Sequence, residues 1–186
     1  SAQKAPYQEV NIGKDTSQFE MLKKLELSEE NFEVLVDYCD EKDITLLSTP
    51  FDDLSARHLH QVGLPIFKIS SGEITNLPFL AIVAEMGKPI ILSTGMSTLG
   101  EVETALTTVW NAGTEEVVLL HCVTEYPTPM DEVNLNAMLT LREAFGVPVG
   151  YSDHTGGIEV CVAATALGAQ VLEKHFTLDR NMEGPD

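Results

Sequence analysis

The sequence predicts an α/β fold, and more narrowly a partial TIM-type (β/α)8 barrel that contains six of the eight βα units. Short apolar runs of strand length alternate with helical patterns at the spacing of one βα unit. Polar residues follow nearly every run, as in barrel enzymes, which build their sites from several strand ends. An open, doubly wound sheet would favour a glycine-rich phosphate-binding turn, and neither of the two common motifs of that kind occurs.

Six apolar runs are predicted to form a parallel sheet, because strands buried on both faces read as continuous apolar and β-branched segments. They are Ile44–Ser48, Ile66–Ser70, Pro89–Ser93, Val117–His121, Val147–Ser152 and Val171–Phe176. Residues 1–43 carry helical patterns and loop but no strand pattern. We therefore expect the first two strands of the barrel to precede Ser1.

The intervening helices are predicted from apolar residues at helical spacing and from the residues at their ends. Ser28 is expected to cap a helix, and Thr98 with Glu101 forms the pattern of a capping box. Asn134 is expected to cap a further helix in the same way. The last helix, about residues 158–167, ends before Gly168, which is a typical C-terminal residue of a helix.

The composition excludes several classes of partner. The net charge is −18, from 29 acidic and 11 basic residues, and such a field repels nucleic acid and anionic membranes. No apolar run approaches the length of a membrane span. The three cysteines lack CxxC spacing, which argues against disulfides or a zinc knuckle and favours a cytoplasmic protein. Among them only Cys122, which follows a predicted strand directly, is a candidate catalytic thiol.

Two histidines are the strongest candidates for a functional role. His154 follows the fifth predicted strand, and His175 lies near the end of the sixth. Neutral imidazole is a common ligand of transition metals, so two neighbouring strand ends that each carry a histidine predict a metal site. The alternative is that each histidine is a satisfied core or loop residue.

Lys68 and the hydroxyl groups at four of the strand ends suggest an anion-binding site. A buried ammonium is costly unless it is paired, and we expect an anionic ligand or Glu73 to relieve that cost. The alternative is a structural ion pair. Because side chains alternate along a strand, Glu173 is expected to share a face with His175, whereas Lys174 faces the helices. This placement weakens a Schiff-base role for Lys174.

Five segments resemble one enzyme family. They are KISSGEITNLPFL, ILSTGMSTLGEVETAL, LLHCVTEYPTPMDEVNLNAM, VGYSDHTGGIEV and ALGAQVLEKHFTLDRNMEGPD. They resemble the central to C-terminal part of the catalytic barrel of the N-acetylneuraminate (sialic acid) synthases, which include the legionaminic and pseudaminic acid synthases. The resemblance implies a C–C bond-forming transferase that condenses phosphoenolpyruvate with an acetamido hexose and water. N-acetylmannosamine is the expected sugar, and the products are a nine-carbon 2-keto sugar acid and phosphate.

The resemblance also implies a residue for each part of the site. His154 and His175 match the ligands of a divalent metal, either Mn²⁺ or Mg²⁺. Glu73 matches an acidic residue beside the reacting carbons, while Tyr126 and Asp186 match sugar-binding positions. The positions that bind phosphoenolpyruvate fall on Thr49, Lys68, Ser71, Ser93, Thr124 and Ser152.

Two departures from the family pattern are expected to limit the catalytic activity of this chain. The family's first two strands carry a further lysine for phosphoenolpyruvate, and its C-terminal antifreeze-like domain reaches the partner's site in a homodimer. Neither is matched in residues 1–186, so the chain is interpreted as an incomplete catalytic barrel domain with little activity alone. Three other hypotheses stay open: a legionaminic or pseudaminic acid synthase, a metal-independent aldolase that uses Lys68 or Lys174, and a non-catalytic barrel that binds sugar or phosphate.

Overall fold

The computed structural model describes residues 3–13, 15, 17–182 and 184. The chain divides into two compact units, a larger one over Leu46–His175 and a smaller one from the segments 1–45 and 176–186. Among the described residues, no helix is both long enough and apolar enough to cross a membrane.

The described residues of the smaller unit form the helices α1 (Pro6–Ile12), α2 (Gln18–Leu25) and α3 (Glu29–Glu41). Ser28 caps α3 as predicted, because its hydroxyl oxygen accepts a hydrogen bond from the backbone N–H of Asn31 at 3.2 Å. The described part of residues 1–43 contains no strand, which agrees with the sequence pattern.

A five-stranded parallel sheet forms the centre of the larger unit. Its strands are β1 (Phe67–Ile69), β2 (Ile90–Ser93), β3 (Val117–Cys122), β4 (Val149–Asp153) and β5 (Val171–Lys174). Each strand pairs with the next one along the chain, in the order β1-β2-β3-β4-β5. A doubly wound sheet reverses its strand order, whereas sequential parallel pairing is the order of a barrel wall. The structure is therefore an α/β half-barrel, and the predicted fold class is confirmed.

Five helices alternate with these strands. They are α4 (Asp53–Gln61), α5 (Leu77–Ala84), α6 (Leu99–Asn111), α7 (Asn136–Phe145) and α8 (Glu159–Ala166). The capping box of α6 is present as predicted, since Glu101 accepts from the Thr98 N–H at 2.7 Å and the Thr98 hydroxyl accepts from the Glu101 N–H at 3.3 Å. The predicted cap of α7 is wrong, because Asn134 lies outside the helix with a positive φ of 41°, a conformation that asparagine tolerates.

Side chains alternate between two faces of the sheet. The helix-facing side is the core, where α7 and α8 pack against β4. Its strand residues are at most 1% exposed, and they are Phe67, Ile69, Ile90, Leu92, Leu119, Val149 and Tyr151. The opposite side, which we call the interior face, carries polar groups toward the C-terminal strand ends. The strand register places Cys122 beside Ser152 and Ser152 beside Glu173 on this face.

The first predicted strand, Ile44–Ser48, is not a strand in the structure. The expectation of six βα units assumed that this run is buried on both faces, but Ile44 is 62% exposed. The boundary between the two units also falls inside the run, between Thr45 and Leu46. An apolar run without burial on both sides lacks the packing that stabilises a parallel strand.

Candidate active site

An ion pair on the interior face joins the first strand to the last. The Nζ atom of Lys68 on β1 lies 3.4 Å from Oε2 of Glu173 on β5, and it donates to the Ser93 hydroxyl on β2 at 2.9 Å. The Ser152 hydroxyl on β4 donates to Oε1 of Glu173 at 2.7 Å. Strands that are four places apart in the sheet can share an ion pair only where the sheet curves. These four residues are called the interior cluster below.

The two predicted metal ligands lie together just beyond the interior cluster. The rings of His154 and His175 are edge to face, with centroids 5.5 Å apart. The ring of Tyr126 lies 4.0 Å from that of His154 and 5.9 Å from that of His175, again between centroids. The two histidines therefore lie close together, as their strand-end positions predicted, and Tyr126 lies beside them.

One nitrogen of His154 is fixed by the backbone. Its Nδ1 lies 2.9 Å from the carbonyl oxygen of Val123, and because a carbonyl only accepts, Nδ1 carries the proton. Burial lowers the pKa of His154, although the bond to Val123 opposes that shift, and the neutral ring is favoured. The lone pair of Nε2 is then available to a metal ion.

These histidines fit a divalent metal only if part of the coordination shell comes from elsewhere. Within the described residues, no group of three or more His, Cys, Asp and Glu side chains is arranged to hold a metal ion. Two imidazoles with oxygen ligands from water and substrate form a donor set that Mn²⁺ accepts. The residues present are therefore compatible with a metal that is shared with the substrate.

Two further predicted residues meet at the rim of the interior face. A Cβ atom added to Gly95 would lie 2.6 Å from the Ser71 side chain and 3.2 Å from Cγ2 of Thr124. Gly95 also has a φ of +49°, so glycine is required here for both space and backbone conformation. Ser71 and Thr124, which were assigned to the same anion, thus flank one backbone turn.

The remaining predicted residues are placed less centrally. Glu73 lies in the short 3-10 turn Ser71–Glu73, where its carboxylate accepts from the Asn76 side chain at 2.8 Å. Of the two groups expected to offset the charge of Lys68, Glu73 does not do so, because the carboxylate that pairs with Lys68 is Glu173, and an anionic ligand stays a prediction. Thr49 is half-buried in the segment before α4. Asp186 lies outside the described residues.

Cys122 lies on the interior face but does not have the properties of a nucleophile. It is 5% exposed, and burial raises the pKa of its thiol. A thiol held in its neutral form is a poor nucleophile. Glu173, by contrast, was not selected as a site residue from the sequence. Alternation had already placed it on the face of His175, and the signal for its role was an acidic residue facing the same interior as Lys68.

The helix-facing side of β4 and β5 carries a second ion pair. Lys174 donates from Nζ to Oδ2 of Asp153 at 2.7 Å, on the side where Cys161 of α8 contacts the same carboxylate. Burial by itself would raise the pKa of Asp153, but the Lys174 ammonium and the Thr155 N–H outweigh it, and the pKa lies below its ordinary value. Lys174 therefore faces the helices, as alternation predicted.

A parallel βα half-barrel whose strand ends gather a lysine, hydroxyl groups and a histidine pair has the architecture of barrel enzymes, which build one site from several strand ends. Residues 1–186 match the NeuB family, and the chain belongs to that family.

Two of its most similar relatives are named as sugar acid synthases. The chain is 54% identical to the N,N′-diacetyllegionaminic acid synthase of Campylobacter jejuni, over all of this chain and 56% of that protein. It is 46% identical to the synthase of the same name from Legionella pneumophila, over all of this chain and 53% of that protein. The chain thus spans about half the length of these curated relatives.

A solved structure agrees with the fold. The N-acetylneuraminic acid (sialic acid) synthetase of Leptospira borgpetersenii, crystallised in complex with citrate, superposes with a TM-score of 0.87. The match has 35% sequence identity and covers 96% of this chain and 62% of that one. At this similarity the half-barrel corresponds to part of that protein's fold.

Proposed function

We propose that the chain supplies the phosphoenolpyruvate- and metal-binding part of a NeuB-type synthase. The reaction condenses phosphoenolpyruvate with an acetamido hexose and water to give a nine-carbon 2-keto sugar acid and phosphate. The observation that carries the proposal is the convergence of the interior cluster and the His154–His175 pair at one end of a half-barrel.

The interior cluster is proposed to hold phosphoenolpyruvate. Lys68 supplies a charge that is largely shielded from water, since its side chain is 12% exposed. The hydroxyls of Ser93 and Ser152 lie on either side and can donate to phosphate or carboxylate oxygens. Ser71, Thr124 and Thr49 are proposed to complete the anion site. Their contribution is mainly to hold the enol carbon in position for attack.

The sugar is proposed to bind on the side of the histidine pair. Tyr126 packs against His154 and would contact the sugar, together with Asp186. A divalent metal ion, Mn²⁺ or Mg²⁺, held by His154 and His175 would polarise the sugar's aldehyde as a Lewis acid. The protonated Nδ1 of His154 keeps that ring in the tautomer that presents Nε2.

Glu73 is proposed to act on the water. C3 of phosphoenolpyruvate forms the new bond to the aldehyde carbon, and the aldehyde oxygen takes up a proton to become a hydroxyl. Water then adds at C2, and the Glu73 carboxylate accepts the proton that this water loses. The resulting tetrahedral carbon expels phosphate and becomes the ketone.

The sugar is proposed to carry two acetamido groups rather than the one of N-acetylmannosamine. Two N,N′-diacetyllegionaminic acid synthases are 54% and 46% identical to this chain, against 35% for the sialic acid synthetase. Pseudaminic and N-acetylneuraminic acid synthesis are the alternative activities within the same chemistry.

The activity is proposed for a chain extended to the length of the relatives. Further barrel strands would supply another lysine, and an antifreeze-like domain would reach the partner's site in a homodimer. Residues 1–186 are proposed to be an incomplete catalytic domain with little turnover alone. Measurable turnover by this chain would contradict that part of the proposal.

Phosphate release from phosphoenolpyruvate tests the function. A protein extended to the relatives' length is assayed with a 2,4-diacetamido hexose, with N-acetylmannosamine and without sugar. We expect metal-dependent release only with sugar, and faster release with the diacetamido hexose. Binding of both substrates without release would instead favour the non-catalytic barrel. Trapping of a ketone substrate on Lys68 by borohydride would favour the Schiff-base aldolase.

A further inference from the structure

The residues that precede the two histidines in the chain form a network of their own. Asp153 comes before His154 and Lys174 comes before His175, and both side chains lie on the helix-facing side. The carboxylate of Asp153 is fully buried. Neither Asp153 nor Lys174 has a role in the proposed reaction.

This network holds the turn that carries His154. Oδ1 of Asp153 accepts from the backbone N–H of Thr155 at 2.9 Å and from its hydroxyl at 2.7 Å. A carboxylate that accepts from the N–H two residues later fixes an Asx-type turn. The backbone on either side of His154 is therefore set by one buried side chain.

Lys174 ties that turn to the neighbouring strand. Its Nζ donates to Oδ2 of Asp153 at 2.7 Å and to the backbone carbonyl of Thr155 at 2.9 Å. One ammonium thus contacts both residues that flank His154, and it belongs to the residue directly before His175. In addition to the β4–β5 register, these two bonds connect the turn at His154 to the residue directly before His175.

We propose that Asp153 and Lys174 are positioning residues, which act from behind the sheet to hold the rings of His154 and His175 in register for one metal ion. The inference rests on the proposed metal site. An ion pair with a buried carboxylate is often no more stabilising than a well-packed apolar pair, although removing one partner destabilises, so its presence is weak evidence that it was selected for stability. Outer partners that orient metal ligands typically account for about 10- to 100-fold in metal affinity.

The test measures Mn²⁺ affinity by calorimetry and, in the metal-free chain, nuclear Overhauser effects between the His154 and His175 rings. Lys174→Met removes both donated bonds. The double variant Asp153→Asn with Lys174→Met removes both charges together and leaves no buried charge unpaired. Lys174→Arg restores a cation with several donors. Thr165→Ala, which removes a hydroxyl on the exposed side of α8, is the matched control.

We expect Lys174→Met and the double variant to weaken Mn²⁺ binding by about 10- to 100-fold and to lose the contact between the two rings. Lys174→Arg should recover most of both, and Thr165→Ala should change neither. Folded Lys174→Met with the ring contact intact would overturn the proposal, whatever its Mn²⁺ affinity. If the unaltered chain binds no Mn²⁺, the metal proposal fails, and the ring contact alone decides whether the two residues position the histidines.

Discussion

Two lysine–carboxylate pairs lie on opposite faces of the same sheet, and their geometry differs. On the helix-facing side, Lys174 and Asp153 are 2.7 Å apart, and the carboxylate is 0% exposed. On the interior face, Lys68 and Glu173 are 3.4 Å apart, and the carboxylate is 42% exposed. The first carboxylate has all of its donors within the protein, whereas the second is partly in water. Lys68 can exchange its distant and partly hydrated partner for a ligand, whereas the partner of Lys174 is close and fully buried.

The largest effect is expected from the histidines, which project from the ends of β4 and β5. His154→Ala or His175→Ala should abolish metal-dependent condensation in a protein of the relatives' length, because the proposed metal ion would lose one of its two protein ligands. Phosphate release measures this loss, with the exposed His60→Ala as the control. Wild-type activity in either variant would remove the histidines from the site.

Breaking the helix-facing ion pair is expected to lower the stability of the fold. Asp153→Asn is expected to lower the free energy of unfolding at pH 7 by about 2 kcal/mol, because it weakens the charge-assisted hydrogen bonds that Lys174 and Thr155 donate to the carboxylate. Urea unfolding measures the change, and Thr165→Ala serves again as the control. A loss below about 0.5 kcal/mol would mean that this pair does not stabilise the fold.

Asp153→Asn should also change how the stability of the fold depends on pH. The folded pKa of Asp153 lies below its ordinary value of 3.8, so the folded chain binds this proton more weakly than the unfolded chain does. The stability from Asp153 is therefore present above the ordinary pKa and lost as the pH falls through the lower folded pKa. Unfolding measured between about pH 5 and pH 2 should show a smaller loss of stability in Asp153→Asn than in the unaltered chain. Equal slopes would contradict the assignment.

Removing the interior lysine should affect ligand binding. Lys68→Met is expected to weaken phosphoenolpyruvate binding by about 10- to 100-fold, since a charge-assisted hydrogen bond to the anion is lost. Calorimetry gives the dissociation constant, and Lys24→Met, a change at an exposed lysine of the smaller unit, is the control. Unchanged affinity would place the anion elsewhere.

The smallest effect on phosphoenolpyruvate affinity is expected from the carboxylate of Glu173. Whether the affinity rises or falls distinguishes two roles for this residue. Glu173→Gln keeps an acceptor for Ser152 but removes the negative charge beside Lys68. Binding of phosphoenolpyruvate should become tighter by about fivefold, which corresponds to about 1 kcal/mol for a partly exposed charge. Glu103→Gln on the exposed side of α6 is the control. Weaker binding would mean that Glu173 is needed to position Lys68.

Local sequence patterns predicted much of the fold and of the candidate site. The predictions that failed depend on tertiary packing and backbone conformation, which local patterns do not determine. Alternation along single strands placed His154 and His175 together and turned Lys174 toward the helices. The partner of Lys68 could not be read in this way, because Glu173 is four strands away and meets it only when the sheet curves. The run Ile44–Ser48 has the composition of a strand, yet strand formation depends on what covers it. Asn134 has the chemistry of a helix cap, but its positive φ sets it outside α7.

A crystal structure of the chain with Mn²⁺ and phosphoenolpyruvate is the most direct test of the proposed site. We expect the metal between His154 and His175, and the anion on Lys68 and Ser93. Lys68 should then lie farther from Glu173, while the Lys174–Asp153 pair stays as it is. Metal or anion bound away from these residues, or a Lys174–Asp153 pair that opens in place of the interior one, would contradict it.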